Sequence, residues 1–189
     1  ETRVSGVARY EQDFTPQTRF EPDKDTIALY HFDEGQGKVL HDASGNNHHG
    51  GIAYGRWVKQ GAVQAPPPAD EDNFALLVDQ TPPRTPATRQ FMRVDPFNLG
   101  DMPGLTVEGW FKTAEHPIPG DKDMSCGLEI GVHGKQGAGL AYFALNQRLN
   151  FDWRNSKEER ANSANDRKIA FGRWQQDRKS TRLNSSHRT

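Results

Sequence analysis

Asp42, Ser44 and Asn46 stand at i, i+2 and i+4 within the run HDASGNNHHG. Three side-chain oxygens at that spacing can converge on a hard cation such as calcium. The run is not an EF-hand loop, because Asn47 takes the sixth position, where glycine is required, and Ala53 the twelfth, where glutamate is required. Asp33 and Glu34 are candidate additional ligands. The same residue types also build Asx turns without metal, since Asp, Ser and Asn side chains bond back to nearby backbone while Gly and Asn tolerate positive φ. Zinc is a second chemistry, from His41, His48 and His49 beside Asp42. Neighbours 48 and 49 lie on opposite sides of an extended chain, so at most one of them joins His41. In the alternative reading, one of these histidines bonds the turn and the other is solvated.

Two further chemistries need partners from separate segments. Glycoside hydrolysis requires two carboxylates at a set separation, yet Glu108, Glu129 and Asp152 each stand alone in their strand candidates. A sugar-binding platform is offered by Tyr142, Phe143, Phe151 and Trp153, with Asn146, Asn150, Asp152 and Arg154 to bond hydroxyls. On an extended strand Phe151 and Trp153 share one face and Asp152 and Arg154 the other, so the aromatic pair is expected to pack inward.

The elements that must hold these residues read as strands. Thr26 to Phe32 alternates Ile27, Leu29 and His31 with Ala28, Tyr30 and Phe32, the period-2 signature of a strand with packed surface on both sides. Turns follow at Gly35 and Gly37. Further strands are predicted at Arg3 to Val7, Gly51 to Val58, Phe74 to Asp79, Gln90 to Val94 and Leu105 to Lys112. Later ones fall at Gly127 to Val132, Leu140 to Leu145, Leu149 to Trp153 and Lys168 to Trp174. The proline-rich runs 65–72 and 80–86 cannot donate ladder hydrogen bonds at their prolines and are read as loops or covered edges. The charged run Asn155 to Arg167 is expected to be a solvated loop. No amphipathic helix is evident. With 33% hydrophobic residues, 18 Gly and 12 Pro, but four Trp and ten Phe to anchor a core, the chain fits a thin all-β sandwich.

Charge and cysteine content exclude several classes. A net charge of −1 gives no basic face for nucleic acid. Cys126 is the single cysteine, so neither an internal disulfide nor a Cys-based zinc site can form. No apolar run is long enough for a membrane-spanning helix, and no signal-peptide pattern is present.

The stretch ALYHFDEGQGKVLHDASGNNHHG resembles the opening of LamG-like modules of the concanavalin A-like lectin/glucanase superfamily, in an aromatic-rich strand, Phe-Asp-Glu-Gly and an Asp-x-Ser-Gly-Asn-x-x-His-Gly turn. LTVEGWFK at 105–112 is similar to a strand of the same family, and Arg173-Trp174 to a late one. The resemblance implies a two-sheet antiparallel jelly-roll sandwich over 26–176, C-terminally truncated because the strands that normally follow are absent. Residues 1–20, with RVSGVARYEQDFTP, resemble the closing segment of a preceding module, and 21–25 reads as a linker. By the same resemblance the protein is expected to be an extracellular, cell-surface or periplasmic multi-module protein. The expected role is non-catalytic binding of a glycan or protein partner, with structural calcium and a neighbouring LamG-like module in the same chain. A ligand-free spacer attached to a distant catalytic domain is the alternative. Glucanases of that superfamily carry Glu-x-Asp-x-Glu or Glu-x-Asp-x-x-Glu on one strand, and this chain has neither, so a hydrolase is not expected. Residues 177–187 resemble a translated sequencing adapter, so 177–189 is read as a non-native tail. Taking away Arg178, Lys179, Arg182, Arg188 and Asp177 leaves 20 basic and 24 acidic residues, a net charge of −4.

Overall fold

The computed structural model describes residues 1–10, 15, 17–59, 74–77, 91–95, 102–112, 124–131, 137–143, 148–154, 160–168 and 173–182. These residues form strands, and no helix occurs among them. In order they are β1 (Thr2–Ser5), β2 (Thr26–Tyr30), β3 (Val39–Leu40), β4 (Gly50–Ala53), β5 (Arg56–Lys59), β6 (Phe74–Leu77) and β7 (Phe91–Val94). There follow β8 (Gly104–Lys112), β9 (Met124–Gly131), β10 (Gly137–Phe143), β11 (Arg148–Arg154), β12 (Arg160–Lys168) and β13 (Trp174–Arg182). The chain is all-β with antiparallel pairing.

Two compact units are distinguished, Glu1–Phe111 with Gln176–Thr189, and Lys112–Gln175. The first contains a sheet of order β13-β8-β1-β2, a sheet β3-β4-β7 and the pair β5-β6; the second contains β12-β11-β10-β9.

β1 is the organising strand of the first sheet. It pairs with β2 on one side and β8 on the other, Arg3 opposite Leu29 and Glu108, and Val4 opposite Ala28 and Val107. Residues 1–20, which the sequence sets apart as the end of another module, thus contribute a strand to the same sheet as 26–30. Val4, Ala28, Leu105 and Val107 are buried on the apolar face. Arg3, Ser5, Thr106 and Glu108 alternate with them and are buried as well: the ring of the fully buried Phe20 lies 4.7 Å from the Arg3 guanidinium, and Arg9 bonds Ser5 and Thr106. A strand covered on both faces loses the usual alternation of exposed and buried positions.

Three expectations are corrected. Gly51 to Val58 is two strands rather than one, since Tyr54 takes a left-handed φ of 60°; β4 then joins β3 and β7 while β5 joins β6. The strand expected to run to Phe32 ends at Tyr30, with Phe32 at φ 59°. Such values cost a non-glycine residue strain and turn the chain out of its ladder. Of the solvated loop expected at 155–167, residues 160–167 belong to β12, which pairs with β11, Asp152 opposite Asn162 and Arg154 opposite Arg160, with a register shift near Arg148; 155–159 lie outside the described residues. The ladder satisfies the backbone groups on its β11 side, β12 being the edge of that sheet. Of the strand expected from Lys168 to Trp174, Lys168 ends β12 and Trp174 begins β13, while 169–172 lie outside the described residues; β13 extends into the adapter-like run.

Candidate functional site

The Asp42 turn lies along β2. Oδ1 of Asp42 accepts the Leu29 N–H at 2.9 Å and the Ser44 N–H at 2.9 Å. Oδ2 accepts the Ser44 hydroxyl at 2.7 Å and the His48 N–H at 3.0 Å. An ionised carboxylate has about four acceptor positions, so this one is filled by hydrogen-bond donors. Burial pushes the Asp42 carboxyl up, and the bonds from Leu29, Ser44 and His48 outweigh it, leaving the group below the usual carboxylate range. Asn46 donates from Nδ2 to the carbonyls of Thr26, 3.1 Å, and Ile27, 2.9 Å. The Ser44 hydroxyl also lies 3.0 Å from the Ile27 carbonyl. Gly45 takes a φ of 88° at the tip, a conformation glycine adopts without strain. Structure brings Asp42, Ser44 and Asn46 together as an Asx-type staple, in which the Asp42 oxygens, the Ser44 hydroxyl and the Asn46 amide nitrogen each bond protein groups.

The three histidines take different places in this corner. The rings of His41 and His49 meet edge to face, 5.4 Å between centroids, while His48 contributes backbone to the turn: its N–H to Asp42 and its carbonyl to the Tyr30 hydroxyl at 2.6 Å. Nδ1 of His49 accepts the Asp42 N–H at 3.0 Å, which puts any ring proton of the neutral form on Nε2. Glu34 turns back onto this corner, Oε1 accepting the His41 N–H at 2.7 Å; its Oε2 is buried without a partner. Asp33 instead pairs with Arg19 at 2.9 Å. Among the described residues no group of three His, Cys, Asp or Glu side chains is arranged to hold a metal.

The covered face of β1 forms the floor of an open cleft of about 340 Å³ beside Arg3, Arg9, Tyr10 and Asp23. Arg3 holds Glu108 through Nε at 2.8 Å and Nη2 at 2.7 Å, and donates from Nη1 to the Glu21 carbonyl. The Tyr10 hydroxyl donates to Glu108 Oε2 at 2.6 Å; burial, then this bond, push its pKa up to about 12. Arg9 forms a bidentate pair with Asp23 at 2.7 and 2.6 Å and bonds Ser5. This hydrogen bond from Arg9 holds the Asp23 carboxyl well below the usual range despite its exposure. In this cleft Arg9 is paired with Asp23 and Arg3 with the buried Glu108.

The expected sugar-binding residues fall on the sheet of the second unit, apart from Asn146, which lies outside the described residues. β10 and β11 are in register with Leu140 opposite Phe151 and Tyr142 opposite Leu149. Positions 138, 140 and 142 therefore share a face with 149, 151 and 153, a row of Ala, Leu, Tyr, Leu, Phe and Trp. Asn150, Asp152 and Arg154 hold positions on the other face, opposite Ala141, Gly139 and Gly137 on β10 and Ala164, Asn162 and Arg160 on β12. Tyr142 and Trp153 are thereby parted from Asn150, Asp152 and Arg154. Sequence reasoning missed Asn162 and Arg160 as neighbours of that row because 155–167 reads as a charged loop; the signal available was the alternation of small and polar residues in RANSAND. No protein-family model, curated protein or solved structure matches this chain.

Proposed function

We propose that the chain carries a non-catalytic carbohydrate-recognition module of LamG-like, jelly-roll type, set in an extracellular multi-domain protein. The observation that carries this reading is the polar row of the β9–β12 sheet. Register aligns Asn150, Asp152 and Arg154 with Asn162 and Arg160, and sets the small residues Gly137, Gly139 and Ala141 beside them. Amide, carboxylate and guanidinium groups together offer donors and acceptors for vicinal hydroxyls. The non-catalytic part is supported by the first unit, where Glu108 and Asp42 are both consumed by internal partners. Binding of the whole chain to a glycan array, followed by titration of the best glycan, tests the reading. Asp152→Ala and Arg154→Ala are each expected to weaken binding at least tenfold with the fold retained. A folded wild-type chain that binds no glycan defeats it and leaves the spacer reading.

One observation favours a second reading. Glu129 and Asp152 are register partners of the same Gly139 from opposite sides, about two strand spacings or roughly 9–10 Å apart along the sheet. That is near the separation used by inverting glycosidases, about 6.5–9.5 Å between carboxyl groups. Release of reducing ends by the wild-type chain and its loss in Glu129→Gln would establish hydrolysis; its absence keeps the module non-catalytic.

A further inference from the structure

The Arg9–Asp23 pair lines the open cleft beside β1, a space of about 340 Å³, at the lower end of the range for small-molecule sites, roughly 300–1,000 Å³. The Arg9 backbone N–H donates to the Thr106 hydroxyl at 2.9 Å, Nε to the Ser5 hydroxyl, Nη2 to the Thr26 hydroxyl at 3.2 Å, and the fork of Nη1 and Nη2 to Asp23. Ser5, Thr26 and Thr106 are themselves buried, and the Arg9 side chain is 14% exposed. The guanidinium plane is therefore fixed before any ligand arrives. Asp23 is fixed in turn by the Thr26 hydroxyl at 2.9 Å and the Asp25 N–H at 3.0 Å, both on Oδ1.

This arrangement leaves one donor and one acceptor over. Nη1 carries two N–H groups and gives one to Asp23 Oδ2, and among the described residues Oδ2 accepts from Arg9 alone. The two parallel bonds of the fork put Nη1 and Oδ2 on the same edge of the pair, 2.7 Å apart. A hydroxyl both donates and accepts. Two hydroxyls on adjacent carbons can take the spare N–H with one oxygen and donate to the spare lone pair from the other. The charges of the pair cancel, and Glu21 on the cleft wall adds a negative one, which disfavours an anion; the Arg9 cation on the same edge disfavours an amine. Tyr10 and Pro22 give the cleft apolar surface for ring carbons. The bond from Arg9 keeps Asp23 ionised far below neutral pH, so the acceptor persists in acid. We propose that this cleft is a saccharide site of the first unit, binding the vicinal diol of one neutral sugar residue across Arg9 Nη1 and Asp23 Oδ2. It shares its ligand class with the β9–β12 row and none of its residues, so either site can fail alone.

Nuclear magnetic resonance titration of the whole chain with the methyl glycosides of glucose, galactose and mannose tests this. At least one is expected to shift the Asp23 and Asp25 amides and the Trp110 indole N–H, which donates to the carbonyl of Gln17 at the same cleft. The uronic acid of that sugar is expected to bind at least tenfold more weakly. Asp23→Asn alters a side chain 45% exposed and leaves the fold intact, and Arg9→Lys keeps the charge but loses the fork; each is expected to weaken binding at least tenfold. Asp152→Ala is expected to leave it within twofold. A folded chain whose cleft signals stay in place with all these glycosides overturns the proposal, as does undiminished binding in Asp23→Asn or tighter binding of the uronic acid. Loss of the shifts in Asp152→Ala overturns it too, by assigning the sugar to the β9–β12 row.

Discussion

Glu108 and Asp42 are both carboxylates withdrawn from water, 0% and 8% exposed, and they are stabilised in opposite ways. Glu108 meets a full positive charge on Arg3 and a phenol from Tyr10. Asp42 meets only neutral donors, three backbone N–H groups and a hydroxyl. An ionised carboxylate needs compensation when buried, but the source of that compensation sets where in the chain it must come from. A turn delivers N–H groups from residues two and six positions away; a buried cation for Glu108 arrives from 105 residues away.

That difference is open to attack from either side. The largest effect is expected from Glu108→Ala, which leaves Arg3 buried without its partner and costs about 3–5 kcal/mol in denaturant unfolding. Arg3→Met combined with Glu108→Leu is expected to recover most of that loss, since removing both charges removes the desolvation cost too. Asp42→Ala is expected to cost less, about 1–3 kcal/mol, because it strands neutral donors rather than a charge; a loss as large as that of Glu108→Ala would erase the distinction. The pH dependence separates the two further. Asp42 titrates below its unfolded value, so its contribution is complete above about pH 4, the unfolded carboxyl pKa, and is lost as pH falls through the depressed folded value. Wild type is expected to exceed Asp42→Asn in stability by a constant amount above about pH 4, with the difference shrinking as pH falls through that window. Asp23→Asn should have the smallest effect, at most about 1 kcal/mol, since the bidentate pair with Arg9 is 45% exposed on the Asp23 side and screened by water. Thermal unfolding with and without a calcium chelator is expected to coincide, because the Asp42 oxygens are already occupied; a lower Tm after chelation would show that a cation binds the native state.

Much of the strand content was legible beforehand. The alternation at 26–32, the turn residues at 42–47 and the apolar run at 105–112 each point to a local conformation, and each is found close to its expected place. What failed depended on partners. RANSANDRK has no strand-like composition, and only pairing with β11 makes it one. Tyr54 carries no turn signature, yet it breaks 51–58 because the two halves belong to different sheets. The candidate site behaves the same way. Asp42, Ser44 and Asn46 do come together as their spacing implies, but whether their oxygens face a cation or a neighbouring strand is decided by β2, which brings Leu29 and Ile27 against them.

Composition, spacing and turn chemistry by themselves therefore determined an all-β chain without an internal disulfide, and a polar turn closed on itself at 42–48. These follow from interactions within a few residues, which the order of the chain already specifies. Only the tertiary structure decided that Arg3 belongs to Glu108, that Asn162 stands beside Asp152, and that the Asp42 turn seals a sheet. Each of those joins elements distant along the chain or set by register, and a shift of one residue in the pairing would send every side chain to the opposite face.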